Sequence, residues 1–251
     1  MHFARRRYSR DNYLYLLAEG PDAALVDPAD PELALSAAAS AGLRPRWILH
    51  THGHPDHSGG SARLRRELGA TVLGHSGDAG LFAPDVDLAG RPELRLGALR
   101  IRVHETPGHT RGSVLLEWQG KLLTGDTLFG MGCGNCRHGG DPVLLARSFL
   151  AVIAALGDGL EVHPGHDYAQ RNLPFALSLE PEGAARERGE RLAAAQAAGR
   201  EPEAVTLGEE RATNPFLHLS APGVAAAVAR EAPAADDVGR FVALRALRDR
   251  A

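Results

Sequence analysis

Between Thr51 and His57 the chain reads T-H-G-H-P-D-H, placing His52, His54, Asp56 and His57 within six residues. Imidazole nitrogens and carboxylate oxygens are donors for divalent cations, and four at this density point to metal binding. Gly53 and Pro55 interrupt a regular helix, so the stretch is expected to be a loop. On an extended backbone, side chains two apart share a side, so His52 and His54 can close on one ion. Asp56 and His57, where the chain turns, can then face a second. Three further residues follow expected strands through short turns: His109 within Thr-Pro-Gly-His-Thr, Asp126 after Thr-Gly, and His166 after Pro-Gly. Each alone is an ordinary turn or surface residue. With the first loop they make seven donors, enough for two ions that share one carboxylate.

Such a set needs strands that end at one edge. Asn12 to Ala18 and Ala23 to Val26 read as two strands around a Gly-Pro-Asp turn. Pro31 to Ala41 is an expected helix with Asp30 as N-cap and Gly42 as stop. Trp47 to Leu49 is a buried strand leading into the His52 loop. Ser58 to Leu68 is a helix with Leu64 and Leu68 on one side, and Thr71 to Leu73 a strand. Leu94 to Val103 alternates as a hairpin does. Val114 to Trp118 and Lys121 to Leu123 flank a Gln119-Gly120 turn, and Leu160 to Val162 is a strand after a helix over Pro142 to Leu156. Beyond Asn172 the composition is helical over Leu173 to Leu179, Ala184 to Gly199 and Ala221 to Arg230, with no strand expected. Mixed α/β layers over residues 1–172 and a small α-helical domain over residues 173–251 are the expected organisation.

Composition narrows the class. A chain of 251 residues with 44% hydrophobic and 24% charged residues can bury a substantial core. The formal net charge of −3 provides no basic field for nucleic acid. Lys121 is the single lysine, so arginine carries nearly all the cationic charge. The basic start at Arg5, Arg6 and Arg7 is followed by no apolar leader segment, and the apolar run from Phe149 to Leu156 is too short to span a membrane. Two cysteines, Cys133 and Cys136, exclude a disulfide framework and suit a reducing compartment. A cytoplasmic protein without nucleic-acid or membrane partners, monomeric or a small homo-oligomer, is expected.

T-H-G-H-P-D-H, T-P-G-H-T, T-G-D-T-L-F at Thr124 to Phe129 and P-G-H at Pro164 to His166 resemble the metallo-β-lactamase superfamily. G-H-D-Y-A-Q-R-N-L-P-F-A from Gly165 and T-L-G-E-E-R-A-T-N-P-F-L from Thr206 resemble glyoxalase II, the hydroxyacylglutathione hydrolases, so the likeness covers nearly the whole chain. The resemblance implies an α/β fold, a four-layer αβ/βα sandwich with a helical C-terminal domain. It implies that His52, His54 and His109 hold one metal, Asp56, His57 and His166 the other, and that Asp126 bridges. Asp56 and Asp126 are then the catalytic carboxylates. The implied cofactors are two divalent ions, zinc first, with iron or manganese accepted by the same donors. The implied substrate is an S-(2-hydroxyacyl)glutathione such as S-lactoylglutathione, attacked by a metal-bridging hydroxide. A thiolate with a pKa near 8.5 leaves without obligatory protonation, and no Ser-His-Asp arrangement stands out in the sequence.

The chain departs from the family where glutathione is recognised. The basic residue after G-C-G becomes Asn135, the aromatic one becomes Arg137, and the cation after N-P-F becomes His218, while Tyr168 and Asn172 match. Arg137 is expected to supply a substitute contact to a glutathione carboxylate. Cys133, Cys136 and His138 form C-x-x-C-x-H, readable as a metal or redox pair; pocket lining is expected. Rival readings are a mononuclear-iron persulfide dioxygenase, a lactonase or β-lactamase, a hydrolase for another carrier thiol, a processing nuclease and a non-catalytic binding protein.

Overall fold

Alternation along the strands builds two sheets that share an interior. In a computed structural model describing all residues, 1–251, the first sheet comprises β1 (His2–Tyr8), β2 (Asn12–Glu19), β3 (Asp22–Val26), β4 (Trp47–Leu49), β5 (Thr71–Gly74) and β6 (Val86–Asp87), in that order across the sheet. The β1–β2 and β2–β3 pairs are antiparallel, and β3 to β6 run parallel. Next come β7 (Glu93–Leu96), β8 (Leu99–Glu105), β9 (Val114–Trp118), β10 (Lys121–Gly125), the small hairpin β11 (Leu128–Phe129) and β12 (Gly132–Cys133), then β13 (Glu161–Pro164) and β14 (Val205–Thr206). The second sheet runs β14-β13-β10-β9-β8-β7, with β10 and β13 parallel.

Tyr13, Tyr15 and Leu17 of β2 face the second sheet and pack with Ile101, Leu116 and Trp118. Leu14, Leu16 and Ala18 face the other way, onto Ala34 and Leu64. The helices on this side are α1 (Pro31–Ser40), α2 (Pro55–Ser58, a single turn) and α3 (Ser61–Leu68), of which α1 and α3 cover the outer face. The other outer face is covered by α4 (Pro142–Arg147) and by helices of the later chain: α5 (Ala169–Leu179), α6 (Ala184–Ala197), α7 (Leu207–Thr213), α8 (Pro222–Glu231) and α9 (Asp237–Arg250). Leu145, Phe149, Phe216, Val224 and Phe241 join Leu115 and Leu122 in one apolar cluster there. The layers are therefore helix, sheet, sheet, helix, the architecture expected from the motifs. Burying each such side chain contributes about 1.5–3 kcal/mol.

Several local expectations change. Pro55 starts a helical turn, because its missing N–H and fixed φ suit the first helical position, so the His52 loop ends in α2. Residues 2–8 form an edge strand, with Arg7 paired to Asp167 and Glu201. The helix expected over Pro142 to Leu156 is regular only to Arg147; Ser148–Val152 widens into a π turn and Ile153–Ala155 tightens into a 3-10 turn. The C-terminal part contributes β14, which pairs antiparallel with β13, and residue 172 lies inside α5. No helix is long and apolar enough to cross a membrane.

Candidate metal centre

The site forms where both sheets end. The first sheet delivers His52 and His54 after β4, then Asp56 and His57 on α2; the second delivers His109 between β8 and β9, Asp126 after β10 and His166 after β13. Two glycines permit this convergence. Gly125 has φ +47°, and a Cβ there would lie 2.2 Å from Thr51 Oγ1. A Cβ on Gly165 would meet Asp126 Oδ1 at 2.5 Å. The β10–β13 register shifts between Leu123 and Gly125, and this irregularity immediately precedes Asp126.

Besides the buried group Asp27–His52–His57, which takes one histidine from each, two donor triads result, His52–His54–His109 and Asp56–His57–His166, each with ligand atoms within 4.8 Å of one another. Asp126 stands between them. Its Oδ1 lies 3.3 Å from His57 Nε2, and its Oδ2 lies 3.5 Å from His109 Nε2 and 3.4 Å from His166 Nε2. His54 Nδ1 and His109 Nε2 are 3.0 Å apart, His57 Nε2 and His166 Nε2 3.2 Å, and His166 Nε2 and Asp56 Oδ2 3.4 Å. Donors at about 2.0–2.1 Å from one ion in a tetrahedron are about 3.3–3.4 Å apart, so the spacing fits metal coordination. His52 Nε2 and Asp126 Oδ1 are buried without any hydrogen-bond partner, as ligand atoms are before an ion is added.

The ring atoms that do not face the centre are occupied. His57 Nδ1 donates to Asp27 Oδ2 at 3.2 Å, His166 Nδ1 to Asp11 Oδ1 at 2.8 Å, and His109 Nδ1 to the Asn135 carbonyl at 2.7 Å. These acceptors orient each ring with Nε2 directed inward, the atom left to ligate once a cation displaces its proton. Asp27, with φ +50°, also accepts from Thr51 N and Thr51 Oγ1. Asp78 accepts from Gly53 N, Thr110 Oγ1 and Gly112 N, tying the His52 loop to the His109 loop. None of Asp11, Asp27 and Asp78 is evident from sequence spacing; the one local signal is Asp27-Pro28 at a strand end.

Electrostatics separates the two triads. Burial holds His52 well below the ordinary imidazole value, helped by charge on His57, and burial also lowers His109. Burial opposes protonation of His57 and His166 as well, but carboxylates outweigh it. Asp126 and then Asp27 carry His57 up to about 10; Asp126, Asp56 and Asp11 carry His166 up to about 12. Asp126, despite burial, is held well below the carboxylate range by His57 and His166. The carboxylates thus demand positive charge at this point, which a divalent ion supplies.

A cleft of about 210 Å³ adjoins the centre and contains Arg137, Tyr168, Arg171, Asn172, Arg245 and Arg248. The Tyr168 ring stacks on His166 with centroids 4.7 Å apart, linking cleft and centre. Asn172 accepts from Arg248 Nη2 at 3.2 Å. Burial, then the charges of Arg245 and Arg171, push Arg248 below its ordinary value, so the cluster favours an anion. Three of the residues singled out in the sequence for substrate, Arg137, Tyr168 and Asn172, meet here. His218 does not: it lines two other surface pockets, and the cations opposite Arg137 are Arg245 and Arg248 of α9. Arg137 itself donates to the Asp249 carbonyl at 3.1 Å, and Asp249 also binds Arg245 at 2.8 Å.

Cys133 lines the cleft and neither cysteine joins a donor group. Burial raises both thiols, Cys136 to about 12, so both are protonated at neutral pH. A Ser-His-Asp contact does exist: Ser61 Oγ lies 2.5 Å from His50 Nε2, and His50 Nδ1 lies 3.6 Å from Asp27. All three are buried, Ser61 at 7% exposure, so this serine does not present a nucleophile at the surface.

A sandwich with this histidine–aspartate edge defines a protein of the metallo-beta-lactamase type, and residues 10–173 match the metallo-beta-lactamase superfamily model. ETHE1 from Myxococcus xanthus superposes with a TM-score of 0.66 at 26% identity over 87% of this chain and 89% of that one. TTHA1623, solved in a di-iron-bound form, superposes with a TM-score of 0.59 at 26% identity over 86% and 100%. Residues 167–251 match the hydroxyacylglutathione hydrolase C-terminus. A hydroxyacylglutathione hydrolase of Anaeromyxobacter dehalogenans is 69% identical over the full length of both chains, and one of Methylobacillus flagellatus 39% identical over 95% of each. The chain belongs to the hydroxyacylglutathione hydrolase family of this superfamily, for which divalent metals are implied.

Proposed function

We propose that this protein is a metal-dependent thioester hydrolase that cleaves S-(2-hydroxyacyl)glutathione, S-lactoylglutathione among them, to a hydroxy acid and free thiol. The observation that carries the reading is the pair of donor triads sharing Asp126 and opening beside an arginine cleft. His52, His54 and His109 would hold one ion, Asp56, His57 and His166 the other, and Asp126 both. The donor spacing suits zinc, and iron or manganese use the same donors. When bound, the ions supply a water of lowered pKa as nucleophile and compensate the charge that develops on the carbonyl oxygen.

The chain's own residues do the rest. Asp27, Asp11 and the Asn135 carbonyl hold three imidazoles in the ligand tautomer. Arg171, Arg245 and Arg248 offer charge-assisted contacts to the two carboxylates of glutathione, and Tyr168 and Asn172 shape the path from those carboxylates to the centre. The leaving thiolate departs without a general acid. This division places the ligands on residues 1–172 and Arg245 and Arg248 in the segment 173–251. Two cysteines without a disulfide suit the reducing cytoplasm.

The test is hydrolysis of S-lactoylglutathione, set against coenzyme A thioesters, with elemental analysis of the same sample. The expected outcome is selective cleavage of the glutathione ester by protein carrying about two transition-metal equivalents. Full activity at one equivalent per chain, or faster turnover of coenzyme A esters, overturns the reading.

A further inference from the structure

The β11–β12 hairpin lies among the metal ligands in sequence, yet its backbone is satisfied by side chains of the later helices. Asn172 Nδ2 of α5 donates to the Gly130 carbonyl at 3.0 Å. Asn214 Nδ2, at the end of α7, donates to the carbonyls of Phe129 and Gly132 at 3.2 and 3.0 Å, and Arg245 Nη1 of α9 to that of Cys133 at 3.0 Å. At the tip, Met131 has φ +55° and donates its N–H to Glu210 Oε2 at 3.0 Å. A left-handed backbone is uncommon for a residue with a side chain and persists where its surroundings hold it. Glu210 is fully buried, and its other oxygen takes Arg188 Nη2 at 2.6 Å. On its far side the hairpin reaches the ligands. A Cβ on Gly134 would lie 2.8 Å from His109 Nδ1, and the Asn135 carbonyl is the acceptor that orients this ring. His57 and His166 lean instead on Asp27 and Asp11.

We propose that Glu210 is a positioning residue for the His52–His54–His109 triad, acting through Met131 and the hairpin. Its carboxylate fixes the tip, the tip fixes the return strand β12, and residues 134–135 beyond it set the His109 ring. The helical segment thereby completes a metal site to which it contributes no ligand. Supports behind a metal ligand commonly govern affinity in this way. The inference rests on the metal centre of the preceding reading, but not on which thioester is cleaved.

The experiment is zinc binding to the metal-free full-length protein, read by chelator competition, so that no turnover enters the result. Two double variants remove the buried pair together and leave no unpaired charge: Arg188→Met with Glu210→Gln, and Arg188→Met with Glu210→Leu. Glutamine keeps an acceptor for the Met131 N–H, and leucine does not. The leucine variant should bind one zinc equivalent at least about tenfold more weakly and the other as the wild type does. That equivalent should be the one lost in His109→Ala. The glutamine variant should bind both as the wild type does. Arg191→Gln breaks the exposed pair with Glu209 across the same two helices and should change neither. Equal zinc binding by the two double variants overturns the role, since an ion pair that serves stability alone predicts no difference between them. If the leucine variant does not fold, Asn214→Ala removes two hairpin contacts without touching charge, and wild-type zinc binding by it overturns the role instead. Weakening of both equivalents, or of the one that survives in His109→Ala, overturns the assignment to this triad. A wild type that takes up no zinc overturns the metal reading itself, and the inference with it.

Discussion

The metal centre and the arginine cleft sit side by side, yet they are built on opposite principles. At the centre, His52, His57, His109, Asp126 and His166 are all buried, and Asp27, Asp11 and Asp78 hold the rings or loops from behind. In the cleft, Arg137, Arg171 and Arg248 stand on three separate segments at the surface, and Asp249 spans two arginines. Chemistry that demands fixed geometry is placed on rigid strand ends, whereas recognition of a flexible thiol is left to long side chains. Losses at the centre should therefore be steep and felt in turnover, and losses in the cleft shallower and felt in substrate binding.

The largest effect is expected from Asp126→Ala, which removes the one carboxylate facing both triads. Metal content and kcat should fall together, kcat by about two orders of magnitude or more. Retention of both metals with near-normal turnover would break the comparison at its strongest point. Asp27→Asn keeps the shape but cannot accept from Thr51 and His57 in the same way. Metal affinity, read by chelator competition, should drop about ten- to a hundredfold, with the loss concentrated in the Asp56–His57–His166 triad. Arg248→Ala should raise KM for a glutathione thioester about ten- to a hundredfold while kcat changes less. A pure kcat loss would mean that cleft and centre are not separable. Arg137→Ala should be mildest. Its exposed guanidinium already contacts Asp249, a pair worth about 0–1 kcal/mol, so KM should move by less than about fivefold. A larger KM effect would restore Arg137 to the role of principal carboxylate contact.

The sequence displays these regions unequally for the same reason. A metal ligand must be His or Asp beside a tight turn, and His52-Gly53-His54 or Pro164-Gly165-His166 can be read locally. Strand β8, which alternates strictly, and β2, an apolar run bounded by turn residues, are equally legible. The cleft cations ride on α9, whose arginines at Arg245 and Arg248 look like any solvated helix face, and the nearby motif Asn214-Pro215-Phe216 points to His218 instead. That motif serves the fold itself, since Asn214 Nδ2 donates to the Phe129 and Gly132 carbonyls and so holds the β11–β12 hairpin. Strands β6, β11, β12 and β14, of two residues each, have no period to detect, and β1 is recognisable only once β2 is beside it. Asp11, Asp27 and Asp78 are ordinary turn residues until the fold brings histidines and loop amides to them.

Each triad draws donors from both halves of the sandwich, His52 and His54 against His109, and Asp56 and His57 against His166. Any ion bound there is a cross-link between two sheets that otherwise meet through side-chain packing. Its binding free energy then enters the cooperativity of unfolding, because neither half alone retains a complete donor set. At a free metal concentration of about a hundred times Kd the gain is about 2.7 kcal/mol per site, provided the unfolded chain does not bind. Melting the protein across a series of buffered metal concentrations should show Tm climbing with free metal. Under chelation the transition should broaden or split as the two sheets lose their shared rivet. A melting curve indifferent to metal would show that packing alone makes the sandwich a single mechanical unit.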